Sequence, residues 1–197
     1  MTDKVCAIVL AAGQGSRYRA VAGDDQHKLL APCAGRDGAV RPVLEQVLRG
    51  LCGVVDTCLL ITRSDRPEIT RLGRHYSCEV ILLDSHGMGD SIAAGVAAGR
   101  DYRGWLVVLG DMPFILPDTL TCVIDSLNDD CISVPVYRGE RGHPVGFGHS
   151  FGPALMGLTG DEGARRLFQL GRVQTIEVND PGVLWDVDVP EALMFKP

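Results

Sequence analysis

The chain has 197 residues with 19 basic and 25 acidic side chains, a formal charge of −6, and 46% hydrophobic against 22% charged positions. That balance excludes a disordered chain, and the negative charge argues against non-specific binding to nucleic acid or an anionic membrane surface. The length suits a single domain over 1–197, large enough to build a core without metal or disulfide staples.

Along the chain, short β-rich runs alternate with helix-like stretches. Residues 5–10 form a continuous apolar run, expected as a strand buried on both faces. Positions 19–26 and 34–41, rich in glycine and charge, are expected as exposed, mobile loops. Between them and beyond, the pattern predicts a helix over 42–51, with proline in its first turn, a strand over 54–62, a helix over 65–75 and a strand over 78–83. A small-residue helix follows over 88–99, then a strand over 105–109, a helix over 117–127, a strand over 131–137, a helix over 161–170 and a late strand over 173–178. This alternation predicts an α/β fold with a mostly parallel sheet covered on both faces. In such sheets ligands sit outside the carboxyl ends of the strands, so the residues just after each apolar run are the ones to inspect.

The seven cysteines (Cys6, Cys33, Cys52, Cys58, Cys78, Cys122 and Cys131) are odd in number and contain no C-x-x-C. Neither a zinc knuckle nor a disulfide framework is indicated, and reduced, buried thiols are expected. Residues 1–4 lead into a run too short for a signal peptide, and no stretch approaches the roughly 18–20 apolar residues of a membrane span. The expected compartment is the cytoplasm.

The first motif is Leu10-Ala11-Ala12-Gly13-Gln14-Gly15-Ser16-Arg17. A glycine-rich turn presents successive backbone N–H groups to an anion, and Arg17 adds a forked cation suited to phosphate. Neither G-x-G-x-x-G nor a Walker A loop is present, and a plain strand-to-helix turn with a solvated arginine accounts for the same residues. The second motif, Gly110-Asp111-Met112-Pro113, sets a carboxylate directly beyond a buried run, where it needs a cation or several donors; a cap for the turn before Pro113 is the other reading. Near the end of the chain, Asp186 and Asp188 alternate on a strand-like run and share one face, although Asp188 before Pro190-Glu191 is also a good helix start.

Residues 5–17 (VCAIVLAAGQGSR) resemble the L-A-[AG]-G-x-x-x-R signature of nucleotidyltransferases that attach a nucleoside monophosphate to a phosphorylated acceptor. Within that group the chain is most similar to the MobA-like/MocA-like family, the small molybdenum cofactor cytidylyltransferases and their guanylyltransferase relatives. The resemblance runs from Val5 to Leu193 with its motifs in the family's order. It implies a three-layer, Rossmann-like nucleotidyltransferase fold of the nucleotide-diphospho-sugar transferase type. The LAAG form, with alanine at 12, is the one associated with cytidine transfer, though it also occurs in uridylyl- and sugar-nucleotide-forming relatives. Lys28, in HKLLAP, stands at the lysine of the family's P-K-L-L-L-P; residues 19–26 lengthen the usual gap before it, and Gln26-His27 replaces the usual proline. Asp111 matches the family's metal-binding aspartate, and DVDVPEAL over 186–193 is similar to its D-[IV]-D-T-P-E-D-L, with valine at 189 and alanine at 192 as departures.

The resemblance therefore implies transfer of CMP from CTP to the terminal phosphate of molybdopterin, with release of pyrophosphate and with Mg2+ as cofactor. Arg17, Lys28 and Asp111 would be catalytic. Leu10, Ala11, Ala12, Gly13, Gly15, Ser16, Arg17, Lys28 and Ser91 would bind nucleotide, and Asp111 with Asp188 would bind the metal, Asp186 standing in reserve. Ser91 enters through MGDSIAAG, similar to the family's D-S-x-x-A-G; Asp90 or Ser91 as a helix N-cap is compatible with that role. RGHPVGFG over 141–148 is similar to the G-[NH]-P-V-x-F segment, followed by a helix and TGDEGAR over 159–165. His143 there faces an acceptor phosphate or is a structural hydrogen-bonding histidine, and Asp161 reads as part of a helix cap. A molybdoenzyme is the implied recipient of the product. GTP or UTP, another phosphorylated acceptor, or a non-catalytic nucleotide- or molybdopterin-binding chaperone are the competing readings.

Overall fold

The computed structural model describes residues 3–23, 26–84, 87–99 and 101–196. The first apolar run becomes β1 (Val5–Leu10), as expected. Gly15 then adopts φ 63°, a left-handed turn that suits glycine, and α1 (Ser16–Ala22) starts directly after it. The expected loop over 19–26 is thus helical as far as Ala22, because Tyr18 is buried against the core and anchors the turn; Asp24 and Asp25 lie outside the described residues. The loop expected over 34–41 is also corrected. It is the turn of a small antiparallel hairpin, β2 (Pro32–Ala34) and β3 (Val40–Pro42). Its closure comes from residues a local pattern does not see: the Gln46 amide donates to the carbonyls of Cys33 and Ala39.

The chain continues through α2 (Val43–Leu51), β4 (Thr57–Thr62), α3 (Pro67–His75), β5 (Glu79–Leu82), α4 (Met88–Ala98), β6 (Gly104–Leu109) and α5 (Pro117–Asp125). It ends with β7 (Cys131–Tyr137), β8 (Glu140–Arg141), β9 (Val145–Gly148), α6 (Gly152–Met156) and β10 (Arg172–Glu177). The expected helix over 161–170 is a 3-10 turn over Ala164–Gln169.

The main sheet has the order β10-β7-β9-β6-β1-β4-β5, with β8 paired to β7. Strands β5, β4, β1 and β6 are parallel neighbours, as are β7 and β10, whereas β9 runs antiparallel between β6 and β7. The mostly parallel sheet is as expected; β9 was not. Its glycines explain both facts. They weaken the strand signal, yet a side chain at Gly146 would meet Leu127 at 2.7 Å, and one at Gly148 would meet the Asn128 carbonyl oxygen at 2.0 Å.

Alternate residues of β1 feed two cores. Val5, Ala7 and Val9 pack with Leu44, Leu48, Ile69 and Val123 of α2, α3 and α5. Cys6 and Ile8 pack on the other face with Ile92, Val96 and Leu155 of α4 and α6. Three layers result, helices on each side of the sheet. Cys6, Cys33, Cys78 and Cys131 are buried as expected, Cys58 is half-buried, and Cys52 and Cys122 are exposed. The last two lie near the ends of amphipathic helices, on the solvent side.

One buried charge ties the carboxyl-terminal segment down. Asp180 accepts from the Arg36 guanidinium at 2.6 Å, the Leu116 amide and Thr119 hydroxyl at 2.8 Å each, and the Gly182 amide at 3.1 Å. The Arg36 side chain is 32% exposed and can turn to solvent, but removing Asp180 leaves the Leu116 and Gly182 amides and the buried Thr119 hydroxyl without their acceptor. Asp180→Ala is expected to lower stability by about 3 kcal/mol, read from urea unfolding.

Candidate active site

The geometry follows from the strand order. β1 lies between β4 and β6, and the chain moves outward to β4 and β5 before returning to β6 on the other side. At such a reversal the loops leaving neighbouring strands part and open a crevice. Leu10 and Leu109 are register partners, so the turns after β1 and β6 leave the sheet side by side. Gly110 permits their close approach: its amide donates to the Leu10 carbonyl at 3.0 Å, and a Cβ there would stand 2.8 Å from that oxygen. The carboxyl-terminal segment joins them where the Val187 amide donates to the Asp111 carbonyl at 2.9 Å. Val187 is buried, which carries Asp188 to the same rim.

Lys28 is delivered by a 3-10 turn over Lys28–Leu30, held down by buried Leu29. Its ammonium lies 2.5 Å from the Asp111 carboxylate and 3.1 Å from that of Asp188. The Arg17 guanidinium, on a side chain 82% exposed, reaches the other Asp188 oxygen at 2.7 Å. Four residues from four segments thus converge on one point. Burial alone would lower the Lys28 pKa, but Asp111 and then Asp188 outweigh it and hold it above its ordinary value. Burial likewise works to raise Asp188, and the hydrogen bonds from Arg17 and Lys28 overcome it, leaving the carboxyl below its usual range. Asp186, on the far side of Val187, is pushed up by partial loss of solvent around its carboxyl and by the Asp188 charge. The expected strand over 186–188 does not form, although the two aspartates still flank one buried residue. Asp188 does not cap the 3-10 turn that follows it, which has Val189 at its N-cap position and no side-chain cap.

The ion-pair cluster borders a cleft of about 540 Å3. Leu10, Ala11, Ala12, Gly13, Gly15, Ser16, Lys28, Ser91 and Asp111 all line it, whereas Arg17 and Asp188 are not in its lining and connect to it only through the ion pair of Asp188 with Lys28. Ser91 does not cap α4; its hydroxyl donates to the Gly87 carbonyl at 3.3 Å. Asp90 accepts from the Gly160 amide at 3.0 Å and so fastens the 159–162 loop to α4. That loop brings Asp161 into the cleft wall, a position read from sequence only as a helix cap. Gly87 carries the signal that was available, since a Cβ there would lie 2.0 Å from the Gly160 carbonyl carbon.

A second cavity of about 310 Å3 shares Met88 with the first. Ile92, Val107, Val134 and Phe147 make its apolar floor, and Arg141, His143 and Arg165 supply polar groups. The His143 Nδ1 atom is buried with no hydrogen-bond partner among the described residues.

The family model of the MobA-like NTP transferase domain matches residues 7–177. The chain belongs to that family. As a nucleotidyltransferase it is also similar to the purine catabolism protein PucB of Bacillus subtilis, with 29% identity over 93% of this chain and 91% of PucB. A nucleotidyl transferase from Methanothermobacter has the same fold, with a TM-score of 0.82 at 23% identity over 97% of this transferase and 94% of that chain. Rv0371C of Mycobacterium tuberculosis, in a complex with manganese, has a TM-score of 0.75 at 24% identity over 98% and 96% of the two chains. No helix among the described residues of the transferase is long and apolar enough to cross a membrane.

Two histidines give the transferase a signature in pH. His27 is lowered from 6.5 to about 4, by burial first and then by the charges of Arg66, Arg19 and Lys28; its Nδ1 accepts from the Leu29 amide, as a neutral ring must. His143 is also lowered by burial, with Asp111 pulling the other way. Both folded-state values lie below the unfolded one, so the unfolded chain binds more protons in this window. Their contribution is therefore full above pH 6.5 and lost as pH falls toward 4. The urea midpoint is expected to drop across that range, and His27→Gln is expected to flatten the drop.

Proposed function

We propose that this nucleotidyltransferase acts in the cytoplasm, as one domain, transferring CMP from CTP to the terminal phosphate of molybdopterin and releasing pyrophosphate. The observation that carries the reading is the convergence of Arg17, Lys28, Asp111 and Asp188 in one ion-pair cluster, of which Lys28 and Asp111 line the glycine-rich cleft. The donor set fits a hard divalent cation, since two carboxylates from separate segments already close on one positive group, the Lys28 ammonium. Asp111 and Asp188 would hold Mg2+, whose chemistry when bound is to neutralise triphosphate charge.

The remaining work falls to the chain itself. The amides of 13–17 would cradle the phosphates, and Arg17 and Lys28 would stabilise charge gathering on the departing pyrophosphate. The acceptor phosphate is already ionised at neutral pH, so its oxygen attacks the α-phosphorus without a general base. The second cavity gives the acceptor an approach from the side of Met88. Catalysis is then a matter of charge neutralisation and in-line placement of two anions. The cytidine preference is supported by the LAAG form of the first motif.

The test is pyrophosphate release in Mg2+ with CTP, GTP or UTP, with no acceptor, with molybdopterin and with other phosphorylated acceptors. Release with CTP that requires molybdopterin is the expected result. Equal release with GTP or UTP overturns the nucleotide assignment, and release with a different phosphorylated acceptor overturns the acceptor. Tight CTP binding with no release in any combination would favour a nucleotide-binding chaperone.

A further inference from the structure

At the opposite end of the sheet, a cavity of about 510 Å3 is lined by the end of α2, the turns leading into β4 and β5 and the first residues of those strands. Three free thiols, those of Cys52, Cys58 and Cys78, open into it. The sheet register brings two of them together. Leu59 of β4 pairs with Glu79 of β5, so Cys58 and Cys78, each one residue earlier, stand opposite one another. Their Sγ atoms are 3.2 Å apart, in hydrogen-bond contact. Directly opposed positions on neighbouring strands fall within the Cα separation a disulfide spans, about 4.4–6.8 Å. Neither thiol belongs to the nucleotide cleft, which lies beyond the carboxyl ends of β1 and β6. Cys58 is half-buried and Cys78 is 7% exposed, and the cavity they line admits a small solute.

We propose that Cys58 and Cys78 form a reversible dithiol–disulfide site that takes a hydroperoxide as its oxidant. The Cys78 thiolate attacks one peroxide oxygen; an S–O bond forms, the O–O bond breaks, and the leaving oxygen takes up a proton as water or an alcohol. The Cys58 sulfur then attacks the Cys78 sulfenic sulfur; the S–S bond forms, the S–O bond breaks, and the second oxygen leaves with a proton as water. Two thiols lose two electrons and two protons, and the peroxide accepts them. The contact between the sulfurs favours the first step. The hydrogen bond with Cys58 holds the Cys78 thiol below its ordinary value, while that same bond, with burial, pushes Cys58 up. The product is a covalent tie between β4 and the edge strand β5. In a reducing compartment such a bond is transient and reports oxidant load.

The experiment treats the full chain with hydrogen peroxide, blocks remaining thiols by alkylation, and maps unreduced peptides by mass spectrometry. The expected result is a peptide pair linked through Cys58 and Cys78, lighter by two hydrogens and separated again by dithiothreitol. The link should persist in Cys52→Ser and vanish in Cys58→Ala and Cys78→Ala. Linkage through Cys52, oxygen adducts on Cys58 or Cys78 without a link, or unchanged Cys58 and Cys78 at peroxide levels that oxidise Cys52 would each overturn the proposal. The map of the unsubstituted chain decides the matter even where an alanine variant fails to fold.

Discussion

Asp111→Asn is expected to cut turnover on the order of 10³-fold while leaving the melting temperature nearly unchanged. The amide keeps the shape of the carboxylate and removes its charge. The backbone carbonyl that receives the Val187 amide is untouched, so the carboxyl-terminal segment should stay docked. The Lys28 ammonium keeps its contact with Asp188 at 3.1 Å, and therefore no buried cation is left alone. Alanine would be a poorer probe. It removes the nearer partner of a lysine side chain only 12% exposed, mixing a folding cost with the chemical one. Pyrophosphate release beside a thermal melt checks the prediction. Turnover within a few-fold of the unsubstituted chain would remove Asp111 from the reaction and leave it as the lysine's structural partner.

What the amino-acid sequence revealed divides along a physical line. β1 and β6 are buried on both faces, and burial on both faces writes itself as a short unbroken apolar run, which its length and the glycines that follow mark as a strand. The first two motifs sit directly beyond such runs, so placing the strands placed Gly13, Arg17 and Asp111 as well. β9 failed the same test because close packing against Leu127 and Asn128 demands glycine, and glycine erases the pattern that marks a strand. The polar residues of the site were ambiguous for another reason. Aspartate suits helix caps and ligand contacts equally, and the contacts that decide are distant in sequence. Asp188 meets Arg17 across 171 positions and Lys28 across 160, and Asp90 meets Gly160 across 70. In each case the distant partner prevailed over the local cap. Asp161 was visible only as a cap because the contact that brings it to the cleft belongs to its neighbour.

Lys28→Ala is expected to move two measurements in opposite directions. Turnover should fall on the order of 10²–10³-fold, the usual effect of losing one positioned group that stabilises developing charge. Divalent cation binding by the protein without nucleotide should become tighter. The ammonium is held above its ordinary pKa by Asp111 and Asp188 against the pull of burial, so it is charged throughout the neutral range. It occupies the very carboxylates a divalent cation would use, and a cation entering the free protein must displace it. Unit charges 4 Å apart near a protein surface interact by about 4 kcal/mol. Recovering even roughly a third of that on removing the competitor corresponds to about tenfold in affinity. Titration with Mn2+, followed by its paramagnetic signal in the absence of nucleotide, reads this directly, and Lys28→Met controls for lost packing because it keeps most of the stem. Weaker Mn2+ binding in both variants would mean that Asp111 and Asp188 are arranged for the lysine alone. Tighter binding with depressed turnover separates the two roles: the carboxylates recruit the cation, and the lysine, released from them, is free to meet the triphosphate.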